Sequence, residues 1–167
     1  GASPFLRFAW WCGRAQHAFH RARYDEAQAL YERAAEFVDA PESFTTRREL
    51  LCDLAQLALG RGDVAAAGAM LDEIGPGDLA RPAARSAFAE ILRARVAALE
   101  GRFEDAKRHA RLAEAIGREV AYNAFPMCLQ VEAQAMTAIG EGDLAGDRLE
   151  RHLDDFHGEQ RDIVRTF

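Results

Sequence analysis

Ala94-Arg95-Val96-Ala97-Ala98-Leu99-Glu100-Gly101-Arg102-Phe103-Glu104-Asp105-Ala106 reads as the end of one helix, a tight turn at Gly101 and the start of a second helix. The same pattern comes round four times in the 167 residues. With the turn residue of each copy as anchor, the positions are Ala22, Gly62, Gly101 and Gly142, spaced 40, 39 and 41 residues apart. Self-similarity at such a period belongs to stacked repeat architectures. Seven residues before each anchor stands an alanine (Ala15, Ala55, Ala94, Ala135), and three residues on stands another (Ala18, Ala58, Ala97, Ala138). Residues three apart share a helix face. Two small ones there let a neighbouring helix come to the short end of the ~8–10 Å packing range. Two residues after each anchor comes an apolar group, Tyr24, Val64, Phe103 or Leu144. Alanine follows three residues later in the first three copies, at Ala27, Ala67 and Ala106, whereas the fourth has Asp147.

No stretch alternates with period two for long, so the chain is expected to be all-α. The expected helices cover 5–20 and 25–39, 45–60 and 63–74, 82–100 and 103–117, and 121–140 and 143–157. Pro4 suits a first helical turn, and Asp63 suits a helix N-cap. Gly75-Pro76-Gly77-Asp78 is a strong stop, and Gly117 is read as a C-cap. Pro126 moves the start of its helix towards 125 or kinks it. One repeat domain is expected over 4–158, with copies at about 5–40, 45–75, 82–117 and 121–157. Gly1-Ala2-Ser3 reads as a cloning scar, and 159–167 as the start of a further segment or linker.

This pattern resembles the tetratricopeptide repeat. Trp11 falls where that family carries its first-helix tryptophan and Tyr31 where it carries its second-helix aromatic, while Ala34 and Ala113 match the late second-helix alanine. The resemblance covers about residues 5 to 157 and implies a right-handed superhelix of about four helix-turn-helix repeats. The family's usual period is 34 residues. A period near 40 is similar to the repeat arrays of bacterial transcription regulators of the maltose-activator type. That likeness implies a piece of a larger regulatory protein.

Composition fits this reading. Hydrophobic residues make up 49% and charged residues 29%, as in ordinary folded chains. The net charge of −6 is a poor match for direct nucleic-acid binding, which needs cations for phosphates. Cys12, Cys52 and Cys128 form no C-x-x-C pair, so reduced thiols in a cytoplasmic protein are expected. No apolar run approaches the ~20 residues of a membrane span.

The family resemblance also implies where a ligand would sit, because first helices line a concave groove in such arrays. The implied groove positions are Cys12, Gln16, Glu49, Cys52, Gln56, Phe88, Ile91, Arg95, Leu129, Glu132 and Met136. Each Cys–Gln pair is four residues apart and so on one face. The expected partner is a protein or peptide segment, or a small effector, with no membrane and no cofactor. The Lys/Asn clamp of the chaperone-binding members is missing at Cys12, Gln16, Asp53 and Leu92. The five histidines form no metal set. No nucleophile lies with a base, so no catalytic residue is named and no enzyme is expected. Glu104 with Lys107, and Glu114 with Arg118, are read as pairs on solvated faces. The alternative function is self-association through exposed solenoid ends, giving a homodimer. Its candidates are Trp10 at one end and Leu149, Leu153 and Phe156 at the other.

Overall fold

A computed structural model describes residues 3–38, 44–77, 83–120 and 125–152. Every element among them is an α-helix: α1 (Pro4–His20), α2 (Tyr24–Ala35), α3 (Phe44–Gly60), α4 (Val64–Ile74), α5 (Ala84–Leu99), α6 (Phe103–Glu119), α7 (Phe125–Ala138) and α8 (Gly142–His152). Contacts divide the chain into two compact units, Gly1–Gly75 and Pro76–Phe167, where the sequence suggests one domain. The division falls inside the Gly75-Pro76-Gly77 stop.

In the first unit α1 packs on α2 and on α3, and α3 also packs on α2 and α4. Its core joins Phe8, Cys12, Ala15 and Ala18 of α1, Ala27, Leu30, Tyr31 and Ala34 of α2, and Leu50 and Leu57 of α3. Trp11 is partly buried against this cluster. The second unit repeats the arrangement: α5 packs on α6 and α7, and α7 on α6 and α8. Its alanines mesh as expected, with Ala94 against Ala110 and Val131, and Ala97 against Ala106 and Ala135.

The four helix-to-helix corners share one backbone hydrogen-bond pattern. The N–H groups of Arg23, Asp63, Arg102 and Glu141 donate to the carbonyls of Ala18, Ala58, Ala97 and Met136 at 2.8–3.0 Å. The preceding N–H groups, of Ala22, Gly62, Gly101 and Gly140, donate to Phe19, Leu59, Ala98 and Thr137 at 2.8–3.1 Å. This is the Schellman arrangement, which needs a left-handed residue at its centre. Those residues have φ values of 55°, 81°, 75° and 85°.

The fourth corner therefore centres on Gly140, two residues before the Gly142 assigned from sequence. Gly142 instead opens α8, and the alanine thought lost is Ala145, buried like Ala27, Ala67 and Ala106. Asp147 is not the alanine position, and Leu144 is a surface residue, 55% exposed. Two glycines two positions apart offered the same signal, and only the hydrogen bonds distinguish them. Gly117 also caps nothing, because α6 continues to Glu119 and buries it. Local capping follows the sequence elsewhere: Asp63 accepts the Ala66 N–H at 3.0 Å, and Ser3 accepts that of Leu6 at 3.3 Å.

Ala22 is the one non-glycine residue with positive φ among the described residues. Its Cβ costs about 1 kcal/mol in that conformation. Ala22→Gly is expected to stabilise the protein by about 0.5–1 kcal/mol, and Gly101→Val to destabilise it by ~1–2 kcal/mol. Urea unfolding of the two variants checks both signs, and equal small losses would refute the corner assignment.

Candidate interaction surface

The groove positions implied by resemblance separate by burial. Cys12, Cys52, Phe88, Ile91, Leu129, Glu132 and Met136 are buried, so they are core residues and not groove lining. Burial of this kind depends on what packs against a helix, which a projection of one helix alone does not reveal. Gln16, Glu49, Gln56 and Arg95 are half-buried. Gln16 spends its amide on a tie between helices: its Nε2 donates to both carboxylate oxygens of the buried Asp53 on α3, at 3.2 and 3.4 Å.

The buried charges of the second unit form two clusters. Glu90 sits in an apolar run of α5, with its side chain 1% exposed. Its Oε1 accepts from the Gly77 N–H at 2.8 Å and from Arg93 at 2.7 Å. Its Oε2 meets His109 Nδ1 at 2.6 Å. Arg108 lies 3.3 Å from His109 Nε2 and donates there, so the ring proton is on Nδ1 and donates to Glu90. Burial pushes the Glu90 carboxyl up, but the His109 hydrogen bond, the Gly77 N–H and Arg93 outweigh it and hold the group below its ordinary value. Gly77 is seated so closely that a Cβ would lie 2.8 Å from Ile116 Cδ1 and 3.0 Å from Glu90 Cγ. Gly77→Ala is expected to cost ~1–3 kcal/mol by overpacking. A thermal melt unchanged within a degree would show that the slot is looser than this.

In the second cluster Arg148 of α8 reaches Glu132 of α7 through Nε and Glu114 of α6 through Nη2, both at 2.5 Å. Arg111 adds a bond to Glu132 at 2.7 Å. Glu114 and Arg118 are paired as expected at 2.9 Å, but the Glu114 side chain is only 11% exposed and not solvated. Lys107 likewise leaves its expected solvated face. It is buried, and its Nζ bonds Glu141 at 2.8 Å as well as Glu104 at 3.4 Å. Burial, with Glu114 and Glu132 nearby, pushes the Cys128 thiol up to about 12, so it behaves as an inert apolar group. Sequence reading missed these clusters, although a carboxylate inside Ala87-Phe88-Ala89-Glu90-Ile91-Leu92 was a visible signal. The His109–Glu90 contact ties α6 to α5, Arg111–Glu132 ties α6 to α7, and Arg148 ties α8 to both α6 and α7.

Three of the five exposed large hydrophobic side chains among the described residues lie on α1, the others being Leu99 and Leu144. Phe5, Leu6 and Trp10 are 60%, 58% and 56% exposed. Trp10 meets Trp11 edge to face at 4.6 Å between centroids. The Arg14 guanidinium lies 5.0 Å from the Trp10 ring centroid and 5.6 Å from that of Trp11. Two open depressions flank Trp10. One, of about 400 Å³, is lined by Gly13, Arg14, His17, Arg23 and Glu26. The other, of about 480 Å³, is lined by Leu6, Arg7 and Trp11. Exposed aromatic and arginine side chains around shallow hollows are the usual anchors of protein contacts. Of the other self-association candidates, Leu149 is half-buried, and Leu153 and Phe156 lie outside the described residues, as do 1–2 and 159–167. Among the described residues no group of three or more His, Cys, Asp and Glu could hold a metal ion, and no helix is long and apolar enough to cross a membrane. No family model, curated protein or solved structure matches the chain.

Proposed function

We propose that this chain is a non-catalytic protein-interaction module whose contact surface is the outward face of α1. Its helical hairpins stack as a right-handed superhelix like that of tetratricopeptide arrays. The four corners with one hydrogen-bond pattern support that reading. The near-40-residue period supports a place in a larger bacterial regulatory protein, and three buried cysteines outside any disulfide suit a reducing cytoplasm.

The observation that carries the functional reading is the run of Phe5, Leu6 and Trp10, all more than half exposed within two turns of one helix. An apolar patch of this kind, with arginines at its rim, is a contact surface in most folded proteins. The test compares wild type with Trp10→Ala as column-bound bait for soluble protein from the source cells. The wild type retains a partner, and the variant loses it while melting within about a degree of wild type, because an exposed side chain adds little to stability. Retention of the same partner by both proteins would refute the reading. The alternative, self-association through the same Trp10, predicts a mass that rises with concentration in sedimentation.

A further inference from the structure

We infer that the α1 face is a seat for an acidic amphipathic α-helix of a partner protein; this rests on the interaction reading above. The geometry comes from comparing α1 with α3 at equal distance from their corners. Trp10, Arg14 and His17 stand 12, 8 and 5 residues before Ala22, and Leu50, Leu54 and Leu57 stand the same distances before Gly62. On α3 that stripe is covered. Leu50 and Leu57 are buried, Leu54 is partly buried, all three join the core cluster, and α2 packs on α3. On α1 the equivalent stripe is bare: Trp10, Arg14 and His17 are all exposed. The second stripe of α1, Phe8, Cys12 and Ala15, is buried as in any inner helix. The corner register thus gives α1 the position of a helix that receives another helix, with nothing among the described residues in that place.

The chemistry of the stripe names the occupant. Leucines on α3 are replaced on α1 by one large ring and two groups that are or can be cationic. The whole of α1 carries Arg7, Arg14, His17 and His20 and no carboxylate, in a chain that holds 27 Asp and Glu. Arg23 on the same rim is paired with Glu26 at 2.9 Å. A docking helix therefore presents an apolar stripe to Trp10 and the hollows beside it, flanked by Asp or Glu towards Arg7 and Arg14.

The experiment uses the full chain and two synthetic 18-residue helices, each with a leucine stripe, one flanked by Glu and the other by Lys. Calorimetry is expected to show the Glu helix binding at least ~10-fold more tightly than the Lys helix, as charge complementarity requires. Arg14→Glu, at an exposed position, should reverse the order without changing the melting temperature. Equal affinities, or no binding of either helix, would overturn the inference. Binding of phosphatidylserine vesicles or poly-U RNA that is lost in Trp10→Ala would overturn it in favour of a phosphate surface. Sedimentation showing a dimer abolished by Trp10→Ala would overturn it in favour of a second copy. If neither helix binds while wild type still captures a protein through Trp10, the partner chemistry is wrong and the interaction reading stands. If Trp10→Ala captures the same protein, the interaction reading itself fails.

Discussion

Glu90→Leu is expected to lower the free energy of unfolding at pH 7 by about 3–5 kcal/mol. The carboxylate is 1% exposed and serves three donors, the Gly77 N–H, Arg93 and His109. Leucine fills most of the volume but removes the carboxylate that His109 meets and one acceptor of Arg93, and it orphans the Gly77 N–H. The same carboxylate makes stability depend on pH. Its folded value lies below the ordinary 4.5, so the unfolded chain binds the proton more readily. The contribution is complete above the unfolded value and is lost as pH falls through the lower folded one. Urea midpoints of wild type and Glu90→Gln should therefore differ most near neutrality and converge in acid. A gap that widens towards acid would contradict the stated direction, and a loss below about 1 kcal/mol for Glu90→Leu would remove Glu90 as an anchor of the Gly77 segment.

The second large effect is expected at Arg148. Arg148→Met keeps the apolar stem but removes the cation that bridges Glu132 and Glu114. Two carboxylates, 1% and 11% exposed, then depend on Arg111 and Arg118, whose side chains are more than half exposed and screened by water. The expected cost is about 2–4 kcal/mol at neutral pH, scaled from a buried ion pair broken on one side and reduced for the solvent that reaches Arg148. Because Arg148 is the tie from α8 to both α6 and α7, amide exchange should rise first in Gly142–His152. Arg118→Met serves as the comparison, since the Arg118 side chain is 55% exposed and its loss leaves Glu114 bonded to Arg148, so a cost below ~1 kcal/mol is expected. Similar losses in the two variants would show that the bridge is not special, and unchanged exchange in α8 would show that it does not hold that helix.

The helical class, the hairpin spacing and most helix ends were legible in the sequence because they are local. A left-handed residue stops a helix wherever it stands, and Asp63 caps α4 from one residue outside it. The Ala94, Ala97 and Ala106 contacts were legible for a related reason: a small residue at helical spacing says that something packs closely, whatever it is. Four similar stretches made the signal stronger, and the turn was ambiguous where Gly140 and Gly142 offered two equivalent residues.

The surface was not legible in the same way, because exposure is a property of what lies across a helix and not of the helix. Cys12, Ile91, Glu132 and Met136 hold the register expected to line a groove, yet each is buried here. Trp10 and Leu50 stand the same distance before their corners, and one is bare while the other is core. Glu114 reads as a solvated-face carboxylate and Glu132 as groove lining until Arg111 and Arg148 arrive from other helices. Where the chain turns and which faces are small follow from backbone sterics and side-chain volume within a few residues, so local sequence specifies them. Which faces are covered and which charges are paired follow from helices brought together by the fold, with partners such as Glu90 and His109 or Glu114 and Arg148 far apart along the chain.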